Sequence, residues 1–290
     1  MSTATKRTHK KVGLALGGGG AKGLAHIGVI KELERAGLEI GAVAGTSMGA
    51  IVGSWYAATK DIATLEKLFL GVKPEDITPM RKLARNRDGA VFKDGAVPKF
   101  LEAHLDGISF EKCKIPFVCI ATDVKNGDEA VLSEGKLVPA VRASSALPVV
   151  SSPVEIEGRL LMDGGFVNPV PADALKKMGC DFIIAVDVSS KWLDLTEEKL
   201  SVFHLYSLIS SALSVVEYQV ARRILENADV VLKPQVLGYD WLAFGSAKEL
   251  IRLGEEEAHA QIEKICRDVG HVMPEKSLFE KFMDFILYSE

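Results

Sequence analysis

Three short segments of this chain hold residues that could do chemistry. The first is Gly45-Thr46-Ser47-Met48-Gly49. It follows an apolar run and opens a stretch of small residues with helical character. A tight strand-to-helix turn at that point forces Ser47 into a strained, exposed position, and the flanking Gly45 and Gly49 leave room for the crowded backbone. A serine hydroxyl held there is a candidate nucleophile, and a helix N-terminus behind it favours developing negative charge. The bare pattern is weak, since at a glycine usage of about 7% roughly one chain in ten of this length carries it by chance. The strand and helix around it give the reading its weight.

The second segment is Gly17-Gly18-Gly19-Gly20-Ala21-Lys22-Gly23, again between an apolar run and a helical pattern. Glycines let backbone N–H groups point into a turn without side-chain cover, which makes a cradle for a phosphate or an oxyanion. Gly18, Gly20 and Gly23 also fit the GxGxxG spacing of dinucleotide-binding folds. That reading needs an acidic residue at the end of the next strand, where this chain has Gly45-Thr46-Ser47. A phosphate-binding P-loop fails as well, because Leu24 stands where serine or threonine is required. A glycine turn used only for close packing is the bland alternative. Lys22 reads as a local anchor for the loop.

The third segment is Asp163-Gly164-Gly165. A carboxylate at a strand end followed by two glycines suits a base held rigidly beside a cavity, although Asp-Gly is also a common turn dipeptide. A serine triad would need a histidine. His9, His26, His104, His204, His259 and His271 all lack the setting of a base, and His26, one turn from the glycine loop, reads as a structural hydrogen-bonder. There is no HExxH, no EF-hand loop and no His/Cys cluster, so neither a metal nor a cofactor is expected.

The elements that must position these residues follow from apolar periodicity. Val12–Leu16 reads as a buried strand, Lys22–Ala36 as a helix stopped by Gly37, Ile40–Ala44 as a second strand, and Met48–Thr59 as a closely packed helix. Further strands are expected at Ile115–Ala121, Ala130–Ser133, Phe182–Val188 and Val230–Leu232, with a hairpin over Val154–Met162. Helices are expected at Val97–Leu105, Val138–Ala146, Asp173–Met178, Ala247–Val269 and through most of Glu197–Asn227. Strand and helix alternate, which implies an α/β fold on a mostly parallel sheet. A disordered lead-in over 1–10, one domain over 11–270 and an amphipathic tail over 271–290 make the simplest division. The segment 73–96, rich in basic residues and proline, reads as an insertion and a candidate lid.

Composition narrows the classes. The 290 residues are 48% hydrophobic and 26% charged with a net charge of −4, which fits a globular protein and leaves no basic excess for nucleic acid. Cys113, Cys119, Cys180 and Cys266 form no CxxC pair; Cys119 and Cys180, in apolar or strand-like surroundings, read as buried thiols, and a reducing, cytoplasmic compartment fits best. Met1–Lys11 lacks the apolar core of a signal peptide, and Val202–Val216 is too short and polar to span a membrane.

Taken together and in this order, GGGGAKG, GTSMG and DGG resemble the patatin-like phospholipase family. Gly13–Val29, Arg142–Pro148 (RASSALP) and Asp163–Pro171 (DGGFVNPVP) look like family segments. The resemblance is clear from Lys11 to Ser190 and absent in the tail. It implies a three-layer α/β/α sandwich with a mostly parallel central sheet. It also implies a Ser-Asp dyad in which Ser47 is nucleophile and Asp163 is base, with Gly18, Gly19 and Gly20 as the oxyanion loop, Gly19 and Gly20 foremost. Gly23, Gly45, Gly49, Gly164 and Gly165 support the motifs. The expected substrate is a lipid or other acyl ester, with room for peripheral contact with a membrane. Competing readings are an esterase of short soluble esters and a non-catalytic binding module on the same fold. Oligomeric state is not legible.

Overall fold

The computed structural model describes residues 10–72, 96–148, 151–189 and 205–275. The first fifteen-odd residues of that range already set the frame. Every residue of β1 (Val12–Leu16) is buried, as a strand with both faces covered must be. Strands β2 (Ala42–Thr46), β3 (Phe117–Asp123), β7 (Phe182–Val186) and β8 (Val230–Leu232) join it in the parallel order β3-β2-β1-β7-β8. The sheet is mixed rather than parallel throughout. Beyond β3, the hairpin β5 (Val154–Ile156) and β6 (Arg159–Asp163) adds antiparallel strands, and β4 (Glu129–Leu132) pairs antiparallel with β3.

Alternate residues of the central strands feed two cores. Leu14, Leu16, Val43 and Cys119 join one buried cluster, and Ala15, Ala42, Ala44 and Ile120 the other. The first is covered by α1 (Ala25–Arg35), α2 (Met48–Thr59), α3 (Ile62–Gly71) and α8 (Ala247–Val269). The second is covered by α6 (Ala172–Lys177) and α7 (Leu205–Ile224). Helices α4 (Ala96–Leu105) and α5 (Leu137–Ser144) pack beside the hairpin edge. This is the expected three-layer α/β/α arrangement. Each fully buried leucine of β1 contributes about 2 kcal/mol of transfer free energy.

Most expected elements recur with small shifts at their ends. The second strand starts at Ala42 and not Ile40; the Gly41 amide just before it donates across to the Val12 carbonyl of β1 at 2.7 Å. Helix α3 was not anticipated. Asp61 caps it, accepting from the Thr64 amide at 3.0 Å, and Ile62, Leu65 and Phe69 form its buried stripe. The helix expected from Lys22 begins as a 3₁₀ turn at Gly20–Leu24. Cys119 is buried, whereas Cys180 is only partly so. The lead-in up to residue 9, the candidate lid at 73–95 and the tail beyond 275 lie outside the described residues.

Helices α1 and α8 touch backbone to backbone. A methyl group on Gly254 would overlap the Ala25 carbonyl oxygen, and one on Gly28 would overlap that of Ile251. Helix propensity alone would make Gly254→Ala stabilising by about 1 kcal/mol. The contact reverses the sign: the variant is expected to lose about 2 kcal/mol or more, read as a lower urea midpoint in equilibrium unfolding.

Candidate active site

Ser47 lies between the end of β2 and the start of α2, at φ 55° and ψ −119°. A non-glycine residue there is strained, and such strain concentrates where a side chain must be aimed. The turn can form only because its flanks lack side chains: a methyl on Gly45 would overlap the Gly49 carbonyl, and one on Gly49 would overlap that of Leu16. Gly23 similarly yields space to Met48. The Ser47 amide donates to Ser144 Oγ at 3.1 Å. Its hydroxyl was expected to be exposed, yet the residue is only 3% accessible. Ser144, Gly18 and Asp163 close around it.

Asp163 ends β6 and is reached across β3, where register sets Ala121 opposite Asp163 and Ile120 opposite Thr46. Ser47 Oγ donates to Asp163 Oδ2 at 2.7 Å, and the Gly165 amide donates to Oδ1 at 2.9 Å. The Asp163 carbonyl accepts from Thr122 Oγ1 at 2.7 Å. The carboxyl has no accessible surface. Burial pushes its pKa up to about 6, opposed by the hydrogen bonds from Ser47 and Gly165.

The residues after Asp163 tie the three motifs together. The Asn168 carbonyl accepts from Thr46 Oγ1 at 2.7 Å, one residue before Ser47, and the Pro169 carbonyl accepts from the Gly18 amide at 2.9 Å. The Asn168 side-chain Nδ2 donates in turn to Glu129 Oε1 and Asp173 Oδ1 at 2.7 and 2.8 Å. Gly164 packs on the Ile120 carbonyl, where a side chain would clash. Sequence reading missed Asn168 and Ser144 as supports, although DGGFVNPVP and RASSALP had marked their segments.

The glycine turn is fixed at both ends. The Gly17 amide donates to the Val186 carbonyl at 3.1 Å, and the Ala21 amide to that of Trp241 at 2.8 Å. Between them Gly19 and Gly20 have φ 147° and 59°, values that L side chains rarely adopt. With the Gly18 N–H spent on Pro169, the amides of Gly19 and Gly20 are those without a backbone acceptor among the described residues. His26 Nε2–H donates to the Gly17 carbonyl at 2.7 Å, and burial pushes its pKa down to about 4. It therefore orients the loop as a neutral ring. Lys22 is buried beneath the turn and faces Glu217, Asp240 and Asp187; desolvation lowers its pKa. No group of His, Cys, Asp or Glu among the described residues is arranged to hold a metal ion.

Residues 14–176, more than half of the chain, match the patatin-like phospholipase family. The chain belongs to that family. Among patatin-like relatives, an NTE family protein of Mycobacterium bovis is 38% identical over 184 residues, 62% of this chain and 49% of that protein. A lysophospholipase of Aspergillus fumigatus is 29% identical over 298 residues, 92% of this chain and 19% of its own. The chain thus spans half or less of these relatives. The solved structure of VipD from Legionella pneumophila aligns with 94% of this chain and 73% of its own, at 17% identity and a TM-score of 0.48.

Sinking a carboxylate into this pocket has a measurable cost. Because burial raises the Asp163 pKa, folding is favoured while the group is protonated and loses that contribution as pH rises towards and through about 6. Asp163→Asn removes the charge and keeps an acceptor for Gly165. It is expected to be more stable than wild type by about 2–3 kcal/mol at pH 8. The gain should shrink steadily below pH 6 in parallel denaturation curves.

Proposed function

We propose that this chain is a serine acyl hydrolase that cleaves carboxylic ester bonds of lipids through a Ser47–Asp163 dyad. The observation that carries the reading is the 2.7 Å hydrogen bond from Ser47 Oγ to Asp163 Oδ2, with the glycine turn packed against Ser47 at Gly18. The lysophospholipase name borne by the fungal relatives supports a lipid substrate. Residues 11–270 act as one catalytic unit in this reading.

Asp163 takes the proton of Ser47 as Oγ attacks the ester carbonyl carbon. The carbonyl oxygen becomes an oxyanion and is received by the Gly19 and Gly20 amides, each worth about 3 kcal/mol to the transition state. Gly18 contributes by approach rather than by donation, since its amide is already bonded to Pro169. The proton on Asp163 passes to the departing alcohol oxygen, leaving an acyl group on Ser47. Water, deprotonated by Asp163, then releases the fatty acid. A carboxylate of ordinary pKa would be a poor base for a hydroxyl, and burial improves it.

No described helix is long and apolar enough to cross a membrane, so the enzyme would meet its lipid at a surface. The free thiols among the described residues fit a reducing, cytoplasmic setting.

Two measurements test the reading. A fluorophosphonate probe is expected to label the wild type, and Ser47→Ala should abolish both labelling and turnover of lysophospholipid; persistent labelling of the variant would remove Ser47 from the role. In wild type, kcat/KM is expected to fall on the acid side with a midpoint near pH 6, as Asp163 protonates. An acid limb at the value of free aspartate, about 3.9, would overturn Asp163 as the base. Turnover of short nitrophenyl esters with none of lysophospholipid vesicles would shift the substrate class to soluble esters.

A further inference from the structure

Glu217 on α7 comes to the site from a helix that sequence reading left without a role. It is 2% accessible and lies against both loops that flank Ser47. A methyl group on Gly165 would collide with Glu217 Oε1, and one on Gly18 would stand 3.5 Å from the same atom. Gly165 therefore has two uses: its amide holds Asp163, and its missing side chain admits Glu217. Among the described residues Oε1 finds no hydrogen-bond partner. An unpaired buried carboxyl oxygen is costly, and an apolar side chain of the same size would fill the space more cheaply.

Charge counting decides its state. Asp163 faces Glu217 from the end of β6, Asp187 from beyond β7, and Lys22 from the glycine turn. Lys22 also faces Asp187 and the exposed Asp240. Among the described residues Lys22 thus faces three carboxyl groups, those of Glu217, Asp187 and Asp240, while Asp163 faces Glu217. Asp163 is held as an anion by the Ser47 hydroxyl and the Gly165 amide. Asp187 accepts from the Ser189 amide at 2.9 Å, and Asp240 accepts from Leu242 at 2.9 Å and meets water. The carboxyl without such support is Glu217, and it is the one that keeps a proton at neutral pH.

We propose that Glu217 is a positioning residue that must be neutral for the dyad to act. This rests on the reading of Ser47 as nucleophile and Asp163 as base. Neutral Glu217 leaves Asp163 the sole anion beside Ser47. Once ionised, Glu217 sets a second negative charge against the oxyanion forming at the Gly18–Gly20 loop, in a pocket too dry to screen it. Burial, then the charge of Asp163, pushes its pKa up to about 8, with Lys22 pulling the other way. Activity therefore falls as pH rises through about 8, and the two carboxyls bound the active range from either side.

The test is a pH profile of kcat/KM on a soluble nitrophenyl ester for wild type, Glu217→Gln and Asp187→Asn, with fluorophosphonate labelling run alongside. Wild type is expected to lose about tenfold between pH 7 and pH 9 as Glu217 ionises. Glu217→Gln, uncharged at every pH, should keep the acid limb and lack the alkaline one, so its pH 9 to pH 7 ratio rises about tenfold. Asp187→Asn removes a negative neighbour that raises the proton affinity of Glu217, and should move the alkaline limb to lower pH. A wild type that labels yet shows no alkaline limb overturns the inference, as does a limb unchanged in the Gln variant. Should that variant not fold, Asp187→Asn decides alone, and a limb at the wild-type position overturns it. A wild type that resists labelling removes the dyad reading itself and this inference with it.

Discussion

A hydroxyl and a carboxylate separated by 116 positions in the chain meet at 2.7 Å in a pocket that water barely reaches. Neither end could hold that geometry alone. Ser47 depends on a strained turn, which in turn depends on glycines pressed against β1. Asp163 depends on the antiparallel strand that brings it alongside β3. The sheet changes from parallel to antiparallel on this side, and the register of β6 on β3 sets Asp163 opposite Ala121, next to the Ile120 that faces Thr46.

The segment from Asp163 to Pro169 is the clasp of the site. Its first residue bonds the Ser47 hydroxyl, its Asn168 carbonyl holds the residue before Ser47, and its Pro169 carbonyl pins the glycine turn. One piece of backbone thereby sets the distances among Ser47, Asp163 and the glycine turn. Preorganisation of this kind matters because a misplacement of about 1 Å can cost two orders of magnitude in rate. The same clasp fixes the Gly18 amide, so that within the turn only the Gly19 and Gly20 amides lack a backbone acceptor among the described residues.

Much of this was legible in the residues. Helix α2 has the bounds its small residues imply, Met48 to Thr59, because the serine turn before it and the polar residues after it both mark the ends. The glycine turn was visible as a loop after a buried strand. The start of β2 was not, since Ile40 extends the apolar run although the strand begins only at Ala42. Helix α3 was missed because its stripe is short and its capping aspartate reads as an ordinary polar residue. Glu217 could not have been found: a lone acid in a helix says solvent, and only the packing of α7 against the hollow at Gly165 turns it inward. The low accessibility of Ser47 was hidden for the same reason, being a product of loops that are distant in sequence.

The glycine turn near the start of the chain takes its last backbone partner from Trp241, and the helix behind it lies against the backbone of α8. These are among the longest-range contacts in the fold, and contacts of that kind form late because the intervening loop must first be closed. In a nascent chain emerging from the ribosome, Ser47 would therefore be present long before Trp241 and α8, which pin the glycine turn and the helix behind it, had been made.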